Sequence, residues 1–137
     1  QKNCRELVEA LRVSGKSVSI ETSGEIDVRE YAGMAKLVMD IKTPSSGEKA
    51  EFCFQNLAYL LPSDEIKFVV RDRQDYEWAR SICVVYELSA RFTVLFSPVF
   101  EELPLERLAA WILEDRLDVR LQTQLHKHIW GKHSRSV

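Results

Sequence analysis

The sequence predicts an α/β fold: a mostly parallel, curved sheet of five strands with covering helices, forming part of a partial (βα) barrel. Five short apolar segments alternate with segments of helical periodicity, and parallel strands need such crossover connections. Polar residues follow the expected strand ends, which meet at one edge of a parallel sheet. In three strands the polar residues also share one face, which a barrel interior tolerates better than a sheet covered on both faces.

The composition allows one domain with a substantial core. The chain has 137 residues, of which 45% are hydrophobic, and a formal net charge of −2. No basic stripe is interleaved with aromatic residues, so we expect no direct nucleic-acid binding. No apolar run approaches the ~20 residues that cross a bilayer, and no signal peptide is recognisable. We therefore expect no membrane partner and a cytoplasmic location.

The first half of the chain contains two capping-box patterns, Asn3 with Glu6 and Ser45 with Glu48. Pro62 stops the second helix. In chain order we predict a helix from residue 3 that Gly15 closes, a strand over 18–21, a short helical connection over 27–33, a strand over 36–42 and a helix over 46–61.

In the second half, Asp72 is a suitable N-cap and Pro104 suits the start of a helix. We predict a strand over 66–70, a helix from Asp72 to about Ser89, a strand over 92–96, a helix from Pro104 and a fifth strand over 118–128 that can turn helical near its end. Residues 1–130 are expected to form the domain and 131–137 a loose tail.

Side-chain alternation in the strands places candidate binding residues on one face. Asp40 and Lys42 lie two apart, either as a charge pair at the floor of a pocket or as a structural ion pair. Gln124 and His126 share a face of the last segment, where we interpret His126 as a residue that contacts a ligand.

The cysteines and histidines do not predict a metal site. Cys4, Cys53 and Cys83 are odd in number and far apart, so they indicate neither a disulfide framework nor a metal knuckle. We interpret them as reduced thiols that pack as small hydrophobes. No carboxylate lies at ligand spacing from the histidines, so no metal ligand is expected in this chain.

Five segments, in this order and at these intervals, resemble the C-terminal half of the 7-carboxy-7-deazaguanine synthases, members of the radical S-adenosylmethionine superfamily: VSIETSGEI, LVMDIKTPSSGE, EIKFVVRDRQDYEWAR, VLFSPVFEELP and DVRLQTQLHKHIWG. The resemblance implies a partial barrel with an iron–sulfur cluster that reduces S-adenosylmethionine to a 5′-deoxyadenosyl radical. It also implies a magnesium-dependent conversion of 6-carboxytetrahydropterin into the deazapurine of queuosine biosynthesis, a lyase reaction.

The resemblance also implies roles for individual residues. Many relatives have Ser-Pro-Lys where this chain has Asp40, Ile41 and Lys42, so Lys42 is the residue that transfers most directly. Substrate contacts are implied for Gln124 and His126. Contacts with S-adenosylmethionine are implied for Glu21, Thr22, Ser23, Asp40, Ile41, Lys42, Phe96, Ser97, Pro98 and Val99.

Three features of the family lie outside the match: the cysteine motif, the neighbouring magnesium-binding threonine and the Gly-Gly-Glu-Pro motif. We therefore expect this chain to be a part of the synthase that supplies cofactor and substrate contacts but no catalytic residue and no cluster. Its partners would be the N-terminal half of the barrel and a second copy, because the first strand leaves an exposed edge. The alternative is a non-enzymatic five-stranded α/β binding or signalling module.

Overall fold

The computed structural model describes residues 3–48 and 52–131, in which five strands form one sheet. Every neighbouring pair of strands runs parallel. The order across the sheet, β1-β2-β3-β4-β5, is the order along the chain. This confirms the expected α/β fold. The strands are β1 (Ser19–Thr22), β2 (Lys36–Ile41), β3 (Glu65–Val70), β4 (Thr93–Pro98) and β5 (Arg120–Leu121).

Helices and short 3₁₀ turns connect the strands. The longest helix of the described ranges has 13 residues, and none there is long and apolar enough to cross a membrane. The 3₁₀ turns are Arg29–Tyr31, Pro44–Ser46 and Phe54–Ala58. The α-helices are α1 (Cys4–Val13), α2 (Arg73–Val85), α3 (Leu88–Arg91), α4 (Leu105–Glu114) and α5 (Leu125–Trp130).

The sequential strand order explains why the core lies on one face of the sheet. Crossovers between parallel strands are right-handed, so strands added in one direction receive their connections on the same face. Alternate residues of β3, namely Ile66, Phe68 and Val70, are completely buried on that face. They belong to one cluster with Tyr76 of α2 and Leu108 of α4. A doubly wound module would instead reverse its strand order, as in 2-1-3-4-5.

The opposite face, here called the open face, carries fewer apolar residues. Glu65, Lys67 and Val69 of β3 point there and are only half-buried. The strand register places Asp40 beside Lys67 and Val69 beside Ser97. The sequence prediction that Asp40 lies opposite the core-facing residues of β2 is therefore confirmed.

The predicted helix over 46–61 is wrong for the part of it that the structure describes. The chain forms 3₁₀ turns at Pro44–Ser46 and Phe54–Ala58 instead. Ser45 does not cap a helix, because its hydroxyl and its amide both bind the carboxylate of Asp75. Gly47 then adopts φ 73°, a left-handed conformation that does not continue a helix. Residues 49–51 lie outside the described residues.

The first helix is confirmed but its predicted cap is wrong. Asn3 adopts φ 67° and makes no side-chain capping bond. The other end follows the prediction, because Gly15 adopts φ 77° and its amide binds the carbonyl of Arg12. The amide of Lys16 binds the carbonyl of Leu11, which completes a Schellman motif.

Two further boundaries differ from the sequence predictions. Asp72 caps α2 as expected, but the helix ends at Val85 rather than near Ser89 because Glu87 takes the left-handed φ of 50°. The fifth strand is restricted to Arg120–Leu121, and the segment turns helical from Leu125. Of the expected loose tail, residues 132–137 lie outside the described residues.

Gly24 gives a test of the packing at the end of β1. Its φ is 72°, and a Cβ atom there would lie 2.3 Å from Cε2 of Phe52 and 2.9 Å from Cε of Met39. Gly15 also has a positive φ, but a Cβ there meets nothing within 4 Å.

We predict that Gly24→Ala lowers the free energy of unfolding by ~2–4 kcal/mol. The control Gly15→Ala should cost only ~1 kcal/mol, measured by urea denaturation. Equal losses would contradict the close packing at Gly24.

Candidate functional site

A cavity of about 250 Å³ lies at the carboxyl edge of the sheet, between the ends of the central strands. We call it the Asp40 cavity. This edge is where parallel α/β folds build their ligand sites. The structure brings together five of the site residues predicted from the sequence, with six further residues. The cavity is lined by Asp40, Ile41, Lys42, Thr43, Ser45, Ser46, Lys67, Val69, Arg71, Val99 and Gln124.

An ion pair lies on one wall of this cavity. Nζ of Lys42 is 2.9 Å from Oδ2 of Asp40 and 3.6 Å from Oε1 of Glu48. Partial burial by itself lowers the pKa of Lys42, but the hydrogen bond and charge of Asp40, helped by Glu48, raise it above the usual lysine value. Lys42 is therefore a fixed cation at neutral pH. The pair predicted from the strand periodicity is confirmed.

Three buried polar atoms around the open face lack a hydrogen-bond partner among the described residues. They are Oδ1 of Asp40, Oγ of Ser97 and Oε1 of Gln124. Ser97 is completely buried, and Val69, its register partner, lines the Asp40 cavity. An unsatisfied buried polar atom costs free energy, so such atoms are rare in folded proteins. Asp40 and Gln124 line the Asp40 cavity, so a ligand there that offers N–H or O–H groups would satisfy their two oxygens.

A buried carboxylate holds the loop that follows β2. Asp75, on the first turn of α2, is 1% exposed. Oδ1 of Asp75 accepts from the amide of Ser45 at 3.1 Å, and Oδ2 accepts from the amide of Arg71 at 3.1 Å. The hydroxyl groups of Thr43 and Ser45 also bind Oδ2. Asp75 thereby fixes the backbone that connects Lys42 to the rim of the cavity.

Arg71 closes another part of the rim. Its Nη1 donates to the carbonyl of Ser45 at 2.7 Å, and its Nε lies 2.9 Å from Oε2 of Glu102. The loop after β2 is thus linked to the loop after β4. Both loops follow strands whose ends were predicted to converge, so this edge contains one continuous polar region.

A second cavity, of about 560 Å³, lies at β1 and contains Glu21 and Thr22. Asn56, 1% exposed, holds the backbone here: its amide nitrogen donates to the carbonyls of Gly24 and Ile26 at 2.9 Å. Its Oδ1 accepts from the amide of Val28 at 3.1 Å. This cavity shares no lining residue with the Asp40 cavity. Of the predicted residues, Glu21 and Thr22 thus lie at this cavity, apart from those that line the Asp40 cavity.

The remaining predicted residues take different positions. The ring of Phe96 is completely buried in the core, with its centroid 5.4 Å from that of Phe68. Ser23 is half-buried, and His126 is exposed on α5 and lines neither cavity described above. Pro98 and Gln124 line a neighbouring cavity of about 300 Å³ with His128, which the sequence interpretation left unassigned.

Asp75 and Lys67 were missed as site residues because the sequence interpretation followed strand ends only. A signal for Asp75 was present: it lies four residues before Ala79 on the apolar stripe of α2, which also includes Cys83. An acidic residue at a buried position requires hydrogen-bond donors from elsewhere in the fold. The sequence alone did not identify those donors as Thr43 and Ser45.

The described residues do not fit an iron–sulfur cluster, which needs thiolate ligands that converge. Cys4 lies on α1, Cys53 precedes a 3₁₀ turn and Cys83 is on α2. Burial raises the pKa of Cys83 to about 12, so its thiol stays protonated. No group of three histidine, cysteine or acidic residues in ranges 3–48 and 52–131 can hold a metal ion.

Sequence comparison finds relatives over most of the chain, although no protein-family model matches it. The chain is 42% identical to 7-carboxy-7-deazaguanine synthase of Koribacter versatilis over 97% of its own length and 66% of the relative. It is 38% identical to the synthase of Chlorobaculum tepidum, covering 88% of the chain and 56% of that protein. The synthase of Methanospirillum hungatei is 35% identical over 90% of the chain and 51% of the relative.

The chain thus spans between about half and two thirds of the length of these relatives. Their shared name agrees with the resemblance carried by the strand-end segments. The chain belongs to the 7-carboxy-7-deazaguanine synthase family.

Proposed function

We propose that this chain forms one wall of the active site of a 7-carboxy-7-deazaguanine synthase, where it binds S-adenosylmethionine and the pterin substrate. The observation that carries the proposal is the group of three unpartnered polar atoms, on Asp40, Ser97 and Gln124, around the open face. Ligand sites of parallel α/β folds lie at this edge. Both expected ligands carry several hydrogen-bond donors, which these atoms require.

The residues present fit the polar parts of S-adenosylmethionine better than they fit a cluster. Oδ1 of Asp40 and Oε1 of Gln124 are acceptors, suited to ribose hydroxyl or amino groups. The ion pair with Lys42 orients the carboxylate of Asp40. When bound, S-adenosylmethionine supplies the reactive adenosyl group of the family's chemistry. The role that we assign to this chain is to bind and orient its ligands.

The cluster and the magnesium ion are expected to be held by residues outside this chain. Supporting this, the three cysteines lie on separate elements and one thiol is buried and protonated. Strand β1 is at the edge of the described sheet, so its free backbone groups can pair with another strand. We propose the N-terminal half of the barrel as the partner along β1, and a homodimer as the assembly of the whole protein.

The cluster assignment is testable with the purified chain. After anaerobic treatment with iron and sulfide, we expect no stable cluster absorbance and no reductive cleavage of S-adenosylmethionine, because the thiols cannot converge. A mixture of the chain with a separately produced N-terminal half of a relative should hold a cluster. A stable cluster in the chain alone, together with cleavage of S-adenosylmethionine, would contradict the proposal.

Ligand binding is testable by calorimetry with S-adenosylmethionine and with pterin-6-carboxylate, a stable analogue of the substrate. We predict that Asp40→Ala weakens binding of at least one of them about tenfold, because a charged acceptor is lost. The control Asp118→Ala removes an exposed carboxylate outside the Asp40 cavity and should change affinity less than about twofold. No binding of either ligand to the unaltered chain would refute this function.

The positioning role of Asp75 has a separate test. Asp75→Asn converts one of the two carboxylate oxygens into an N–H donor, which then faces the amide of Ser45 or that of Arg71. We predict faster hydrogen exchange at the amide of Ser45, about fivefold weaker ligand binding and a loss of ~1–3 kcal/mol in stability. The control Asp72→Ala removes the cap of the same helix at a cost of ~1 kcal/mol and should leave both other readouts unchanged.

If Asp72→Ala weakens binding as much as Asp75→Asn does at matched stability, Asp75 acts only through the stability of α2. Unchanged exchange at Ser45 in Asp75→Asn would also contradict the positioning role.

A further inference from the structure

Lys67 is a cation of the Asp40 cavity that has no counter-ion among the described residues. It lies on the open face of β3, is half-buried and lines the cavity. Within residues 3–48 and 52–131 it makes no hydrogen bond and no ion pair. The other two cations of the cavity are occupied, Lys42 by Asp40 and Arg71 by Glu102.

Asp40 lies beside Lys67 in the sheet but forms its ion pair with Lys42. Asp40 and Lys67 are register partners on neighbouring strands, so their side chains leave the same face side by side. The bonded oxygen of Asp40 nevertheless pairs with Lys42 at 2.9 Å, and its other oxygen has no partner among the described residues. An unpaired donor on Lys67 and an unpaired acceptor on Asp40 therefore adjoin one cavity.

The charge left unbalanced at the cavity favours an anion. Three cations, Lys42, Lys67 and Arg71, line it, but Lys42 pairs with Asp40 and Arg71 with Glu102. Among the described residues, Lys67 is therefore the cation of this cavity without a counter-ion. A partly desolvated ammonium group without a partner is unfavourable unless a ligand supplies the charge. Because Oδ1 of Asp40 is an acceptor without a partner beside Lys67, the ligand should carry a hydrogen-bond donor of its own close to its anionic group.

We propose that Lys67 binds the carboxylate of a ligand in the Asp40 cavity, while Oδ1 of Asp40 accepts from a donor of the same ligand. The inference rests on the proposed function, which offers two carboxylates: that of the methionine part of S-adenosylmethionine and that of the pterin substrate. Lys67 is then a specificity-determining residue, because a ligand without the carboxylate leaves its charge unpaired.

The test compares ligands that differ in the carboxylate. One arm compares pterin-6-carboxylate with pterin, through the intrinsic fluorescence of these compounds. The other compares S-adenosylmethionine with 5′-methylthioadenosine, which lacks the amino-acid end, by calorimetry. We predict that the unaltered chain prefers the carboxylate compound in at least one arm by about tenfold or more. The arm that shows the preference identifies the source of the carboxylate.

The variants are Lys67→Met, which keeps the length of the side chain but removes its charge, and Lys67→Arg, which keeps the charge. Lys67→Met should abolish the preference by weakening only the carboxylate compound, and Lys67→Arg should restore part of it. The matched control is Lys36→Met. It removes the same charge from the amino end of β2, where Lys36 pairs with Glu65 at 2.7 Å, and should retain the preference.

The results distinguish a failure of the proposed function from a failure of the inference about Lys67. If the unaltered chain binds neither carboxylate compound, the proposed function and this inference are both overturned. If it binds them and Lys67→Met keeps the preference, the inference alone is overturned. Equal loss of preference in Lys36→Met would also overturn it, because the effect would then follow net charge rather than position.

Discussion

The placement of all crossover connections on one side of a parallel sheet is the constraint on which the rest of this structure depends. Because the strands follow one another in chain order, the helices and turns cover the same face. The aromatic core that results, with Phe68, Tyr76 and Phe96 in edge-to-face contact, lies entirely on that side. The open face consequently receives charged side chains, and these can only be accommodated next to solvent or a ligand.

Buried polar side chains then fix the loops that leave the strands. Asn56 binds three backbone groups of the segment after β1, and Asp75 binds the loop after β2. Such groups are favourable only while every partner is in place, so they hold one loop geometry rather than several. Since these loops form the walls of the Asp40 cavity and of the second cavity at β1, the geometry of both depends on Asn56 and Asp75, which line neither of them.

The sequence predicted the first four strands well because each has a short apolar run with clear boundaries. The fifth, predicted over 118–128 in a polar segment, is restricted to Arg120–Leu121. It predicted Asp40 and Lys42 as neighbours because side-chain alternation in a strand is a local property. The predicted helix over 46–61 was wrong because a local capping pattern competed with a distant partner. The hydroxyl and the amide of Ser45 donate to the carboxylate of Asp75, thirty residues later, instead of capping a helix. The separation of Glu21 from the Asp40 cavity also depends on tertiary packing, which strand periodicity does not encode.

The most direct measurement of the central claim is a titration of the ¹⁵N-labelled chain with S-adenosylmethionine, followed by amide chemical shifts. If the open face forms the wall of a ligand site, the largest shifts should occur at the carboxyl ends of β2, β3 and β4 and at Gln124. The amides of α2 that pack on the core should move little. Shifts concentrated on α5 and the covering helices, with the ends of those strands unchanged, would contradict the account.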